Sequence, residues 1–173
     1  MTLYTYECRL LPGLLQTEAY ARQLFVDELP PLDDEQIEVQ WAARAERQRL
    51  LRERPNTTYS FIIEEHVLLR RTGGVETTRE LIDHLLDTSE LRNVEIQVMP
   101  LVQRSHAGLH GPMQLLETPQ NRWFAYTEAP ETGLLISDRK VISVLQSRYA
   151  RIRSQALTLT HSVSLLQRIR GDL

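Results

Sequence analysis

The chain has 173 residues, 42% hydrophobic and 25% charged, with a formal net charge of −3. That length suits a single domain with a sizeable core, and the slightly acidic balance gives no overall attraction to nucleic acid or to an anionic membrane face. The lone cysteine, Cys8, excludes internal disulfides and a thiolate zinc site and fits a reducing, cytoplasmic setting, while no apolar run approaches the roughly 20 residues of a bilayer span.

Residues 2–10 alternate weakly, with Leu3, Thr5 and Glu7 against Tyr4, Tyr6 and Cys8, and predict a short strand. Residues 10–22, LLPGLLQTEAYAR, carry only two charges, Glu18 and Arg22, spaced i, i+4 with the acid first. Pro12 fits a first helical turn. Leu14, Leu15, Ala19, Tyr20, Ala21, Leu24 and Phe25 then cover more than half of the helix girth, so the segment is either buried or docked on something. The alternating strands downstream offer a sheet to cover it, which favours burial. Pro30 and Pro31 end this helix. Asp33 and Gln36 form a capping box for the next one, which runs to about Arg54 with Ile37, Trp41, Ala45 and Leu51 along one stripe. Residues 58–64, TYSFIIE, are aromatic and β-branched and predict a strand.

Residues 66–71 predict one helical turn, closed by Gly73 and Gly74. Thr77 and Glu80 make a second capping box, ahead of a helix that turns Leu81, Ile82, Leu85 and Leu86 inward. Residues 94–99, VEIQVM, alternate and predict a strand with one buried and one wetter face. Residues 103–112 read as a loop. Strands at 113–117 and 122–128 flank a hairpin loop at 118–121, followed by a turn at 129–133 and a short strand at 134–136. Asp138 caps a helix to about Ala156 with Val141, Leu145, Tyr149 and Ile152 as its stripe. Thr160 or Ser162 starts the last helix, carrying Val163, Leu166 and Ile169. This order predicts an α+β fold over residues 1–173, a single domain whose largely antiparallel sheet is packed with several helices.

His106 and His110, spaced i, i+4, are the best metal candidates, but a catalytic zinc wants three protein ligands. Gly108 and Gly111 also argue against the helix that would align the two rings. The loop therefore reads as mobile or partner-facing, and no metal or cofactor is assigned. Glu64, Glu65 and His66 end one strand and Glu128 ends another, positions suited to acid–base work. No Gly-x-Ser-x-Gly, Cys/His or phosphate-loop signature accompanies them. They read instead as an ion pair with Arg70 or Arg71, or as a ligand-sensing site. Residues 44–54, RAERQRLLRER, place five arginines on a helix, a pattern able to follow a phosphate backbone. Glu46 and Glu53 interleave with them, so the face reads as solvated or partner-facing. Among 20 basic residues only Lys140 is lysine, a bias that points to a GC-rich genome, with selection for planar bidentate contacts as the alternative.

Taken in order, LPGLLQTEAYAR, RAERQRLL, EEHVLLRRTGG, VEIQVMP, HAGLHGPMQLLE, FAYTEAP and the closing AL-x-L-x-x-S resemble one family over nearly the whole chain. The PGLLQT-x-x-YAR block is the most specific part. The family is the domain of unknown function that follows an XRE-type helix-turn-helix in WhiJ-like, antitoxin-like transcriptional regulators of actinobacteria, Streptomyces in particular. The resemblance implies a non-enzymatic regulatory domain that pairs with a small BldB-like protein or with a second copy of itself. It implies DNA contact only through the helix-turn-helix, which these residues lack, and it carries over no catalytic residue. Partner contacts are expected at Arg44, Arg47, Arg52, His106, His110 and Glu128. The alternative is a small-molecule sensor with a pocket between sheet and helices lined by Glu65, Arg70 and Tyr126. A metal-dependent hydrolase built on His106 is the third.

Overall fold

The computed structural model describes residues 1–129 and 132–173. Among them six strands form one sheet: β1 (Thr2–Glu7), β2 (Thr58–Glu64), β3 (Val94–Met99), β4 (Met113–Glu117), β5 (Trp123–Glu128) and β6 (Gly133–Ile136). Their spatial order is β3-β2-β1-β4-β5-β6, so the first strand of the chain is central. It pairs in parallel with β2, Leu3 beside Tyr59, and antiparallel with β4, Leu3 beside Leu116. Three of the five pairings are antiparallel and two are parallel. The α+β class holds, with a mixed but mostly antiparallel sheet. Parallel neighbours need long crossovers. Here α1 (Glu18–Val26), α2 (Asp34–Gln48) and α3 (Leu50–Glu53) join β1 to β2, while α4 (Glu65–Leu69) and α5 (Val75–Ser89) join β2 to β3.

Alternation along the strands divides the core in two. Tyr59, Phe61, Ile63, Val94, Ile96 and Val98 pack on one face against Leu11, Leu15, Leu81, Ile82 and Leu85, together with Leu165, Leu166 and Ile169 of α7 (Leu159–Gly171). Tyr6, Ile62, Met99, Met113 and Leu115 pack on the other against Ile142, Leu145, Tyr149 and Ile152 of α6 (Arg139–Gln155). Tyr149 stacks on Tyr4 at 4.9 Å and donates its hydroxyl proton to the Ser60 carbonyl at 3.1 Å, which satisfies a polar group inside this layer. Along VEIQVM the wetter face shrinks to Glu95, which is half-buried and pairs with Arg153 at 2.7 Å, while Gln97 is buried and donates to the Leu157 carbonyl at 2.8 Å. The α6 stripe uses Ile142, and Val141 is exposed.

The expected opening helix is broken in two. Pro12 leads a 3₁₀ turn at Gly13–Leu15, Gln16 is extended, and Thr17 caps α1 through the Tyr20 amide. Side chains from α2 hold the turn: the Gln48 amide donates to the carbonyls of Gly13 and Gln16, both at 2.7 Å, and Arg44 Nη1 donates to Gln16 Oε1 at 2.5 Å. Gln16 in turn donates to the Leu11 carbonyl at 2.6 Å. Carbonyls freed by leaving the helix thus find donors, and Leu11 and Leu15 are driven fully into the core. The predicted Glu18–Arg22 pair forms, at 2.7 Å.

The remaining boundaries differ in small ways. The Asp33–Gln36 capping box forms, but the helix it starts is interrupted at Arg49. The Thr77–Glu80 box does not form. Gly73 and Gly74 take φ of 80° and 96°, the helix is already running at Val75, and Thr78 Oγ1 donates to the Gly74 carbonyl instead. The last helix is capped by Thr158 rather than Thr160 or Ser162. Ser162 instead covers part of the sheet edge: the Val98 amide donates to its Oγ at 2.9 Å, and the Leu157 amide donates to the Val98 carbonyl, so the outer edge of β3 is satisfied at Val98. Of the turn expected at 129–133, Pro130 and Glu131 lie outside the described residues.

His84 on α5 has a buried Nε2 with no hydrogen-bond partner among the described residues. Burial holds its pKa below the ordinary imidazole value, with Asp87 and Glu80 opposing and Arg52 reinforcing that shift. A depressed folded-state pKa means that the unfolded chain binds the proton first. The contribution is complete above the ordinary value of about 6.5 and is lost as pH falls through the folded value. The melting temperature is expected to drop between pH 7 and 5, and to drop less in His84→Leu; parallel pH profiles of the two proteins check this.

Candidate functional site

β1, β2 and β3 run in parallel, and β5, antiparallel to β4, points the same way as β1. All four therefore end on one side of the sheet, with Glu7, Glu64, Met99 and Glu128 as their last residues. Carboxyl ends of strands are where ligand crevices open in sheets with parallel strands. The loop between β3 and β4 crosses this edge.

One part of the edge is a buried polar lock. Glu64 Oε1 accepts from Tyr6 Oη at 2.7 Å and from His106 Nε2 at 2.5 Å. His106 Nδ1 accepts the Gly108 amide at 2.9 Å, which assigns the ring proton to Nε2. Gly108 is required by close approach, since a Cβ there would overlap Tyr6 Oη. Burial, and the carboxylate of Glu64 beside it, push the Tyr6 phenol far above its ordinary pKa, so it stays a donor. Cys8 is likewise pushed up by burial and by Glu7, which keeps the thiol protonated and a weak nucleophile.

The other part is ionic. Glu7 turns the chain at the end of β1 by accepting the amides of Cys8 and Arg9, both at 2.9 Å. The Arg9 guanidinium then bridges Glu7 Oε2 at 3.1 Å and Glu128 Oε2 at 3.0 Å, tying the ends of β1 and β5. Beside this bridge lies a cleft of about 370 Å³. Thr5, Glu7, Gln114, Tyr126 and Glu128 form its sheet wall, and Gln16, Phe25, Glu28 and Arg44 belong to its helical wall. Arg44 lies over the Phe25 ring, 4.7 Å from the centroid, and burial lowers its pKa.

Arg44, Tyr126 and Glu128 are thus brought together, although only the first and last were expected to share a surface. Glu65 and Arg70 do not join Tyr126 there. Glu65 Oε2 accepts the Leu101 amide at 2.7 Å, and Arg70 donates to the Arg9 carbonyl at 3.0 Å, so both serve the backbone. Arg47 and Arg52 are exposed and, among the described residues, in no ion pair, whereas Arg49 is held by Glu46 and Glu53. His106 points inward to Glu64, while His110 is exposed beside a hollow shared with Leu134 and Arg148. The two imidazoles therefore serve different surroundings, and the described residues hold no group of three or more His, Cys, Asp or Glu able to bind a metal. Tyr6, Glu7 and Arg9 were not singled out from the sequence; the acid at a strand end followed two residues later by arginine was the available signal.

No described helix is long and apolar enough to cross a membrane. No curated protein and no solved structure matches the chain. A family does match, over residues 1–168, and the chain belongs to it: the domain of unknown function DUF5753.

Proposed function

We propose that this chain is the regulatory and protein-interaction domain of an XRE-type, WhiJ-like transcriptional regulator of an actinobacterium, acting in the cytoplasm. It docks a small BldB-like protein and thereby changes the DNA affinity of an attached helix-turn-helix, which requires the partner to prefer one regulator state. The observation that carries this is the unequal finish of the two sheet edges. The β3 edge is capped at Val98 by Ser162 and Leu157, with α7 beside it. β6 has no second strand partner among the described residues, and it exposes Leu134 at 60% and Leu135 at 68%. An apolar open edge is a template for another strand. Next to it Tyr126, the ladder partner of Leu135, is also exposed. The protonated Cys8 thiol and the Glu64 carboxylate, whose Oε1 is already held by Tyr6 and His106, support a binding role over a catalytic one.

Light scattering after size-exclusion chromatography tests this on the chain mixed with a BldB-like protein. A stoichiometric complex is expected, and Leu135→Arg is expected to weaken it at least about tenfold with the melting temperature unchanged. Failure to form a complex overturns the proposal, and a complex that tolerates Leu135→Arg removes the β6 edge. Charge reversal at Arg47 and Arg52 is expected to slow association and flatten its salt dependence when the partner is acidic.

A further inference from the structure

Residues 139–171 hold seven basic residues and not one Asp or Glu, in a chain with 23 acidic residues against 20 basic. Five of the seven belong to α6. Lys140 and Arg151, about three turns apart, share the face opposite the buried stripe of Ile142, Leu145, Tyr149 and Ile152. Both are exposed, as is Arg139, and none of the three is in an ion pair among the described residues, whereas Arg153 is taken by Glu95. Arg139 and Lys140 stand in the first turn, where the helix dipole favours acids. That placement opposes helix stability, so folding does not account for it. At the start of α6, Arg139 and Arg122 line a hollow of about 340 Å³ with Asn121, Ser137 and Gln146, all able to donate hydrogen bonds, and no carboxylate lines it. Acids on the adjoining elements are engaged. Asp138 Oδ1 accepts the amides of Lys140 and Val141, both at 3.0 Å, and Glu117 accepts from Thr2 Oγ1 at 3.2 Å.

These features select a polyanion. Two guanidinium groups in a carboxylate-free hollow suit phosphate oxygens, and the cations continue along α6, about 25 Å long, beyond the reach of one small anion. An acidic protein would need large apolar anchors, but between Lys140 and Arg151 the outer face offers Ser143, Val144 and Ser147. A nucleic-acid single strand would need open aromatic platforms. Here Trp123 packs into the α6 layer, and the Phe124 ring carries the Arg122 guanidinium at 5.3 Å. The net charge of −3 does not oppose contact, because charges more than about 10 Å away are largely screened at ordinary ionic strength. We infer that the outer face of α6, with the Arg122–Arg139 hollow, docks on the phosphate backbone of a nucleic-acid duplex without reading its sequence. This surface adjoins the end of β6 and needs no partner protein to act.

Fluorescence anisotropy of a labelled DNA duplex of about 20 base pairs, titrated with the chain at about 50 mM salt and above, tests this. Binding is expected at low salt, alike for unrelated sequences, with log K falling against log salt at a slope of about −3 to −4 for contacts from Arg122, Arg139, Lys140 and Arg151. Arg139→Gln combined with Lys140→Gln is expected to reduce that slope by about 2. The melting temperature should stay level or rise, since both residues oppose the helix dipole. Arg168→Gln, exposed on α7 across the sheet from α6, is expected to leave binding unchanged. Absence of binding at low salt, a flat salt dependence, indifference to the Arg139–Lys140 double variant, or equal loss with Arg168→Gln each overturns the inference. Poly-L-glutamate binding as tightly as the duplex also overturns it and reassigns the face to an acidic protein.

Discussion

Replacing Leu15 by alanine is expected to destabilise the fold by about 2–5 kcal/mol, the range for a fully buried leucine whose cavity cannot collapse. Leu15 has no exposed surface and ends the 3₁₀ turn at Gly13–Leu15. The turn cannot relax into the vacancy easily, because Gln48 holds the carbonyls on either side of it and Arg44 holds Gln16. Denaturant titration of the wild type and Leu15→Ala measures the effect as a shift in midpoint at unchanged slope. Leu14, only partly buried in the same cluster, serves as the internal comparison and should cost less when truncated. Unchanged stability in Leu15→Ala, with partner binding lost, would move this segment from core to docking surface.

Glu64→Ala is expected to cost about 3 kcal/mol or more. The loss of one carboxylate leaves two donors without an acceptor, Tyr6 Oη and His106 Nε2, in a place where Tyr6 is 1% exposed and Glu64 8%. Each orphaned buried donor costs about 1–3 kcal/mol. The damage is also expected to be local in space: His106 and Gly108 seat the loop between β3 and β4, so amide exchange should accelerate there before it does in β2. Glu64→Gln retains a carbonyl oxygen and should recover part of the loss. Equal stability of Glu64→Ala and wild type would show that Tyr6 and His106 find other partners.

What the sequence made legible depended on how local each cause was. Strands at 94–99 and 113–117 came out at the predicted bounds because alternation and flanking turns decide them within a few residues. The Asp33–Gln36 cap is equally local. The break at Gln16 is not: it depends on Arg44 and Gln48, 28 and 32 residues further along the chain, and local patterning sees only apolar residues at helical spacing. Parallel pairing of β1 with β2 is likewise a long-range choice. The α6 stripe slipped by one residue because Leu145, Tyr149 and Ile152 are compatible with either Val141 or Ile142 one turn earlier. At the site, Glu64 and Glu128 were recognisable as strand ends, but which partner each would meet was not. Among five arginines of residues 44–54, only the fold tells that Arg44 turns inward while Arg47 and Arg52 stay outside.

The central position of β1 fixes an order of events during synthesis. The earliest strand of this sheet to be synthesised needs a neighbour on each side, and one of them, β4, begins only at Met113. Until that segment emerges, the nascent chain carries TYSFIIE and VEIQVM as apolar strands in an unfinished sheet. Such strands are open to mispairing with other chains. Interrupting translation before β4 should therefore yield products that aggregate or recruit chaperones, whereas a stop after α7 releases a chain able to close its own sheet.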